Sequence, residues 1–95
     1  MFVIDIQYKV SLNVVDEYVV AHRAWLDEKY TAGLLLCSGP KLPKTGGVII
    51  ALGDDIAQIQ HMLQTDPFMQ HGIGEYTITE FQPVKHHPQI KNLII

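Results

Sequence analysis

Residues 14–26 read VVDEYVVAHRAWL, and this segment decides how the rest of the chain can fold. Its large apolar side chains recur at spacings of three and four residues, which places them along one face of an α-helix. We predict a helix that Asn13 caps and that runs to about Ala32, with Gly33 just past its C-terminus. A helix with one apolar face needs an apolar layer to cover it, so the flanking segments should form a sheet.

His22 occupies a position on the apolar face where a leucine would be usual. Its neighbours three and four residues away on either side are large and mostly apolar: Tyr18, Val19, Trp25 and Leu26. These spacings turn the imidazole toward the protein interior. A buried imidazole needs a hydrogen-bond partner, and the best candidate is the carboxylate of Asp66.

Short apolar segments on both sides of this helix have the patterns of β-strands. The predicted strands cover residues 2–8, 34–38, 48–52 and 73–82. A second amphipathic helix is expected to begin at Gly53-Asp54 and to end before Asp66-Pro67. The order βαββαβ predicts an α+β, ferredoxin-like fold, in which a four-stranded antiparallel sheet carries two helices on one face.

The opposite face of this sheet is also predicted to be apolar. The two middle segments, 34–38 and 48–52, have hydrophobic side chains on both faces, whereas the helices cover only one. Soluble monomers rarely expose such a patch, so we expect a homodimer with twofold symmetry. A higher oligomer built from such dimers is the alternative. The domain should span residues 1–85, and the tail 86–95 has an apolar end that can pack on the partner subunit.

Composition excludes several classes of function. The 95-residue chain has a formal net charge of −3, and its seven Lys and Arg residues are scattered, so we expect no nucleic-acid or membrane partner. Neither a signal peptide nor a membrane-spanning segment is recognisable. Cys37 is the only cysteine, which suits a reducing cytoplasm, and its place in an apolar strand predicts a buried, unreactive thiol.

Four short motifs together resemble the YciI-like protein family. They are His22-Arg23, Gly33-Leu34-Leu35, Ser38-Gly39-Pro40 and Asp66-Pro67-Phe68, in the family's order. The similarity covers about residues 2–85 and implies the dimeric α+β barrel fold, in which two ferredoxin-like sheets associate back to back. The chain departs from the family in its tail and in a short loop at residues 41–46, which leaves the shape of the pocket mouth open.

The resemblance also implies a chemistry. Family members that resemble enzymes include a dehydrochlorinase of aromatic catabolism, and muconolactone isomerase shares the wider fold group. The family's candidate active-site pair, a helix histidine and the aspartate of the Asp-Pro motif, corresponds to His22 and Asp66. Acid–base catalysis of the isomerase or lyase type is therefore implied.

Both residues of this pair also have a structural interpretation. Asp66 followed by Pro67 is typical of a helix N-cap, and capping alone explains the motif. His22 can equally be a core histidine that makes one hydrogen bond and takes no part in chemistry. The roles are compatible, because a carboxylate has two oxygens and accepts several hydrogen bonds.

Candidate substrate contacts surround the pair. They are two aromatic residues and three residues at the end of a strand: Trp25, Phe68, Ser38, Gly39 and Pro40. Phe81 is expected as a further aromatic wall. The strand-end residues either offer a hydroxyl or a backbone N–H to a ligand or only form a turn.

Metal and cofactor sites are not predicted. The other four histidines lack the i, i+4 spacing of a helical metal site; they are His61, His71, His86 and His87. No Gly-rich phosphate loop precedes a helix. Two functions remain. One is a cofactor-independent enzyme that isomerises a small organic molecule or removes HX from it by proton transfer at His22. The other is a non-catalytic homodimer that binds a small ligand or a partner, with His22–Asp66 as a structural pair.

Overall fold

The strands and the two main helices follow one another in the predicted order, in a computed structural model that describes residues 1–94. The strands are β1 (Phe2–Tyr8), β2 (Leu35–Pro40), β3 (Gly46–Ala51) and β4 (Gly74–Glu80). The helices are α1 (Leu12–Thr31), α2 (Ile56–Leu63), α3 (Pro67–Gln70) and α4 (Lys91–Ile94), and a 3-10 turn over Pro88–Ile90 leads into α4. Within residues 1–94, no helix combines the length and the apolar character that a membrane crossing requires.

The strands form one antiparallel sheet in the order β2-β3-β1-β4. The central strand β1 pairs with β3 on one side and with β4 on the other, which is the strand order of the ferredoxin-like fold. The α+β fold class predicted from the sequence is confirmed.

The main core lies between one face of the sheet and the helices α1 and α2. Phe2, Ile4 and Ile6 of β1 are at most 2% exposed and pack with Trp25 of α1 and with apolar residues of α2. The Trp25 indole N–H donates a hydrogen bond to the Thr65 hydroxyl at 2.8 Å. The alternation of β1 therefore produces the burial that its sequence predicts.

The start of α1 differs from the prediction. Ser11 caps the helix, because its extended backbone lets its hydroxyl accept a hydrogen bond from the Val14 N–H at 3.4 Å. Asn13 lies within the first turn, so its predicted role as the N-cap is wrong. The C-terminal end is as predicted: Gly33 follows the helix with a positive φ of 76°.

The second helix begins later than predicted. Asp55, and not the Gly53-Asp54 pair, caps α2 by accepting a hydrogen bond from the Ala57 N–H at 3.0 Å. Gly53 has a φ of 105°, a conformation that other residues rarely adopt, and turns the chain away from β3 before the helix starts.

Strand β2 continues through the Gly39-Pro40 pair that was expected to end it. This strand lies at the edge of the sheet, where the missing N–H of Pro40 interrupts no interior hydrogen-bond ladder. Cys37 is exposed, so the predicted burial of its thiol is wrong. The cysteine pairs with Ile50 of β3 in the sheet register, and both project from the face opposite the helices.

This uncovered side, which we call the open sheet face, carries a cross-strand row of Cys37, Ile50, Val3 and Thr79. Val3 and Ile50 are only partly buried. The neighbouring ion pair between Lys41 and Asp5, 2.9 Å long, adds charge to the same face.

The chain after β4 runs along one end of the sheet. Leu93 and Ile94 of α4 line a cavity of about 700 Å³ together with Met1 and Phe81. Ile95, part of the predicted apolar tail, lies outside the described residues. Packing of the tail on a partner subunit stays a prediction.

We expect Gly46→Ala to lower the free energy of unfolding by about 2 kcal/mol or more. Gly46 is buried, and a Cβ atom placed on it would overlap the backbone carbonyl oxygen of Ile6. Gly39→Ala is the matched control, since nothing lies within 4 Å of its added methyl group. Chemical denaturation measures both variants, and equal stabilities would contradict the close strand approach at Gly46.

Candidate active site

Asp66 lies in the turn between α2 and α3 and is completely buried, at 0% exposure. It is the N-cap of α3: its Oδ1 accepts the Phe68 N–H at 3.0 Å, and Pro67 occupies the first turn of the helix. The capping role predicted from Asp-Pro is therefore confirmed. A buried carboxylate requires further donors, because one backbone N–H leaves most of its hydrogen-bonding capacity unused.

His22 supplies the second donor. Its Nδ1 lies 2.7 Å from Asp66 Oδ1, and its side chain is only 12% exposed, so the predicted pairing is confirmed. The carboxylate already accepts the Phe68 N–H on the same oxygen, so we assign the proton of this contact to Nδ1. In the neutral ring this assignment leaves the lone pair on Nε2.

Tyr76 supplies the third donor, from its hydroxyl to Asp66 Oδ2. Burial raises the pKa of Tyr76 far above the usual tyrosine range, and the charge and hydrogen bond of Asp66 raise it further. The phenol therefore keeps its proton and remains a donor. The sequence analysis missed this residue, although strand alternation places Tyr76 on the inward face, where a hydroxyl needs a partner.

The His22 ring is held between aromatic side chains. It stacks on Phe68 with ring centroids 3.9 Å apart and planes 3° from parallel, and Trp25 lies 6.0 Å away on the same helix. Within residues 1–94, every buried side-chain nitrogen and oxygen has a hydrogen-bond partner, whereas Nε2 of His22 makes no such bond. Nε2 must therefore be accessible, and the surface that His22 presents is the wall of a cavity.

This cavity, of about 490 Å³, lies between α1, α3 and the strands β1 to β3. Its apolar wall includes Ile6, Val19, Leu26, Ile49 and Phe68. Its polar rim includes Arg23, Asp27, Tyr30, Ser38 and Lys44. A small organic molecule with an apolar body and a few oxygen atoms matches this combination.

The structure brings most of the predicted substrate contacts to this cavity. Ser38, Gly39, Pro40 and Phe68 all border it. Trp25 does not, because it is 5% exposed and its indole N–H is directed to Thr65 in the core. Phe81, the other expected aromatic wall, lies at the far end of β4 beside Met1. The binding roles of the four residues at the cavity stay predictions.

Three rim residues, Asp27, Tyr30 and Lys44, were not predicted from the sequence. The Tyr30 hydroxyl lies 2.7 Å from the Ser38 hydroxyl, so α1 and β2 are joined at the cavity edge. Tyr30 follows His22 and Leu26 at four-residue spacing, and this pattern could have identified it. Lys44 lies in the loop between β2 and β3, where no helix or strand periodicity predicts the direction of its side chain.

Metal ligands do not gather in the part of the chain that the structure describes. Residues 1–94 contain no group of three or more His, Cys, Asp or Glu side chains arranged to hold a metal ion.

The YCII-related domain matches residues 1–82 of this sequence. The chain belongs to the YCII-related family. Among solved structures it is similar to 5-chloro-2-hydroxyhydroquinone dehydrochlorinase (TftG) from Burkholderia phenoliruptrix AC1100, in its complex with 2,5-dihydroxybenzoquinone. The TM-score is 0.71 and the identity 18%, over 86% of this chain and 94% of that chain, so the two share a fold. Among curated proteins, none matches significantly.

We expect Asp66→Ala to lower the free energy of unfolding by about 3 kcal/mol or more, because three donors lose a fully buried acceptor. Asp55→Ala is the matched control: Asp55 also caps a helix, but it is exposed and, within residues 1–94, its carboxylate accepts a hydrogen bond only from the Ala57 N–H. Loss of that cap should cost about 1 kcal/mol. Equal losses in urea denaturation would contradict the central role assigned to Asp66.

Proposed function

We propose that this YCII-related protein is a cytoplasmic enzyme that uses His22 to move a proton on a small, oxygenated organic molecule. The reaction is an isomerisation or the loss of HX, and proton transfer beside a carbonyl group needs no cofactor. One observation carries the proposal: Nε2 of a histidine oriented by a buried carboxylate is accessible at a cavity of small-molecule size. The dehydrochlorinase name of the structural neighbour supports the lyase variant.

In the first step, neutral His22 acts as the general base. Nε2 takes a proton from an O–H group, or from a C–H group beside a carbonyl, of the bound molecule. The ring becomes an imidazolium, and Asp66 stabilises its positive charge through the Nδ1–H contact of 2.7 Å. Stacking on Phe68 holds the ring plane, so the base is oriented before the substrate arrives.

The second step depends on the substrate. In an isomerisation, His22 returns the proton to a different carbon of the same molecule. In a dehydrohalogenation of a halogenated hydroquinone, His22 first returns the proton to the ring carbon that bears the halogen, while the deprotonated oxygen becomes a carbonyl. His22 then removes a second proton from an O–H or C–H group, and the electron pair of that bond moves through the ring to form the new double bonds as the halide leaves with the C–X pair. Both routes place negative charge on a substrate oxygen, and the cationic rim residues Arg23 and Lys44 are suited to stabilise it.

The cavity suits a substrate with a single oxygenated ring. Phe68 provides an aromatic wall, while the Tyr30 and Ser38 hydroxyls provide hydrogen-bonding groups at the rim. The neighbour TftG was captured with 2,5-dihydroxybenzoquinone, a molecule of this size and polarity. Halogenated hydroquinones and enol lactones are therefore the substrates to test first.

We expect His22→Gln to lower kcat for such a substrate by about 100-fold or more, because glutamine cannot accept the proton. Chloride release from 5-chloro-2-hydroxyhydroquinone and isomerisation of an enol lactone are the assays. His71→Gln is the matched control, since His71 is exposed and stacks on Tyr18 outside the cavity. Undiminished turnover by a folded His22→Gln protein would contradict the role of His22 as the base. Binding of these molecules by the wild type without turnover would favour the non-catalytic ligand-binding role.

We also propose that a second copy of the chain covers the open sheet face. The row of Cys37, Ile50 and Val3 places apolar and thiol groups side by side on a surface that no element of residues 1–94 covers. Association about a twofold axis would bury this row against itself and remove an exposed patch.

We expect the protein to sediment as a dimer and Ile50→Lys to sediment as a monomer, because the substitution places a charge in the middle of the interface. Val20→Lys is the matched control: Val20 is 81% exposed on α1, away from the open sheet face. Sedimentation velocity distinguishes the two species, and a wild-type monomer at all concentrations would contradict the dimer.

A further inference from the structure

Tyr76 is a buried phenol that the proposed proton transfer leaves unused. We propose that Tyr76 is a positioning residue, which sets through Asp66 how readily His22 Nε2 binds and releases a proton. Its effect on turnover rests on the proposed function, whereas its effect on the His22 ring does not. The juxtaposition is a hydrogen-bonded chain of three side chains from three elements, Tyr76–Asp66–His22.

Asp66 divides its hydrogen bonds between its two oxygens. Oδ1 accepts from His22 Nδ1 and from the Phe68 N–H, and Oδ2 accepts from the Tyr76 hydroxyl. Because Asp66 is 0% exposed, bulk water cannot take the place of any of these donors. The negative charge of the carboxylate is therefore stabilised by hydrogen bonds from three protein groups whose positions the fold sets.

Tyr76 is held rigidly enough to define its share. Its backbone pairs with Ile6 in the register of β1 and β4, and its ring packs against both apolar clusters of the core. Burial and the nearby carboxylate keep the pKa of Tyr76 above its ordinary value. The hydroxyl thus donates throughout the pH range in which a histidine titrates.

The physical consequence concerns the strength of the Asp66–His22 contact. A donor on Oδ2 withdraws charge from the carboxylate, and a less charged carboxylate stabilises the imidazolium less. Tyr76 therefore favours the neutral ring, which is the form with a free lone pair on Nε2. The Nδ1 contact still selects the tautomer, so orientation is kept while the base remains available.

Other ionisable groups also border His22. Arg23, Asp27 and Tyr30 belong to α1, Tyr8 belongs to β1, and Lys44 belongs to the loop before β3; all line the same cavity as His22. None of these side chains donates to Asp66 within residues 1–94. Removal of the Tyr76 hydroxyl therefore takes one hydrogen bond from the Asp66 carboxylate, while the charges of the other groups that line the cavity stay the same.

The decisive experiment is an NMR titration of the His22 imidazole, assigned by the signal that disappears in His22→Gln. In Tyr76→Phe we expect the titration midpoint to rise by roughly half a pH unit or more, with the proton still on Nδ1 in the neutral ring. Tyr18→Phe is the matched control, because Tyr18 packs on the same cluster as Tyr76 and its hydroxyl bonds to no side chain of residues 1–94. Its midpoint should equal that of the wild type.

A second variant keeps the hydrogen bond and strengthens it. Fluorine beside the hydroxyl makes a phenol a stronger donor, so 3-fluorotyrosine incorporated at position 76 should lower the midpoint. Opposite shifts in the two proteins would establish the positioning role, and this variant also serves if Tyr76→Phe fails to fold. An unchanged midpoint in either folded protein would overturn the proposal.

Turnover gives a separate readout. If His22 is the base, Tyr76→Phe should lower kcat about five- to tenfold and move the acidic limb of the pH–rate profile upward, with KM within about twofold. If His22→Gln retains full turnover, the proposed function fails, and the two midpoint shifts still decide the role of Tyr76. If the midpoints do not move, the positioning role fails whatever the activity of His22→Gln.

Discussion

The rest of the site depends on one constraint: the carboxylate of Asp66 is fully buried and must be surrounded by donors. A helix N-terminus, an imidazole and a phenol meet this requirement together, from α3, α1 and β4. Each element is thereby tied to the same two oxygen atoms. The interaction that stabilises the junction also orients the imidazole whose Nε2 faces the cavity, so stability and proposed chemistry share one residue.

The fold supports this arrangement by giving each partner a rigid base. Phe68 contacts both members of the pair, since its backbone N–H donates to Asp66 while its ring stacks on His22. The short helix α3 is therefore capped by the carboxylate of Asp66 and also supplies the aromatic ring that holds the imidazole of His22. Tyr76 closes the cluster from the sheet side, where strand pairing with β1 leaves it little freedom.

The two faces of the sheet have different roles. The covered face carries the core and, at the end nearest β2, the cavity with its polar rim. The open sheet face carries partly buried apolar residues beside the Lys41–Asp5 ion pair, and it is the surface on which the proposed dimer would form.

Local pattern in the sequence determined the element order, the inward direction of His22 and the cap formed by Asp66-Pro67, because periodicity and capping depend on residues a few positions apart. The His22–Asp66 pair was also predicted, although 44 residues separate its members, because an inward imidazole needs a partner and the resemblance to the YciI-like family gives Asp66 that place. Tertiary structure alone decided which partner each remaining group meets. It turned Trp25 toward Thr65 and away from the cavity, exposed Cys37, and brought Tyr76 to the second carboxylate oxygen. The reason is physical: a repeat shows which face a side chain occupies, whereas the neighbour across that face depends on how separate elements pack.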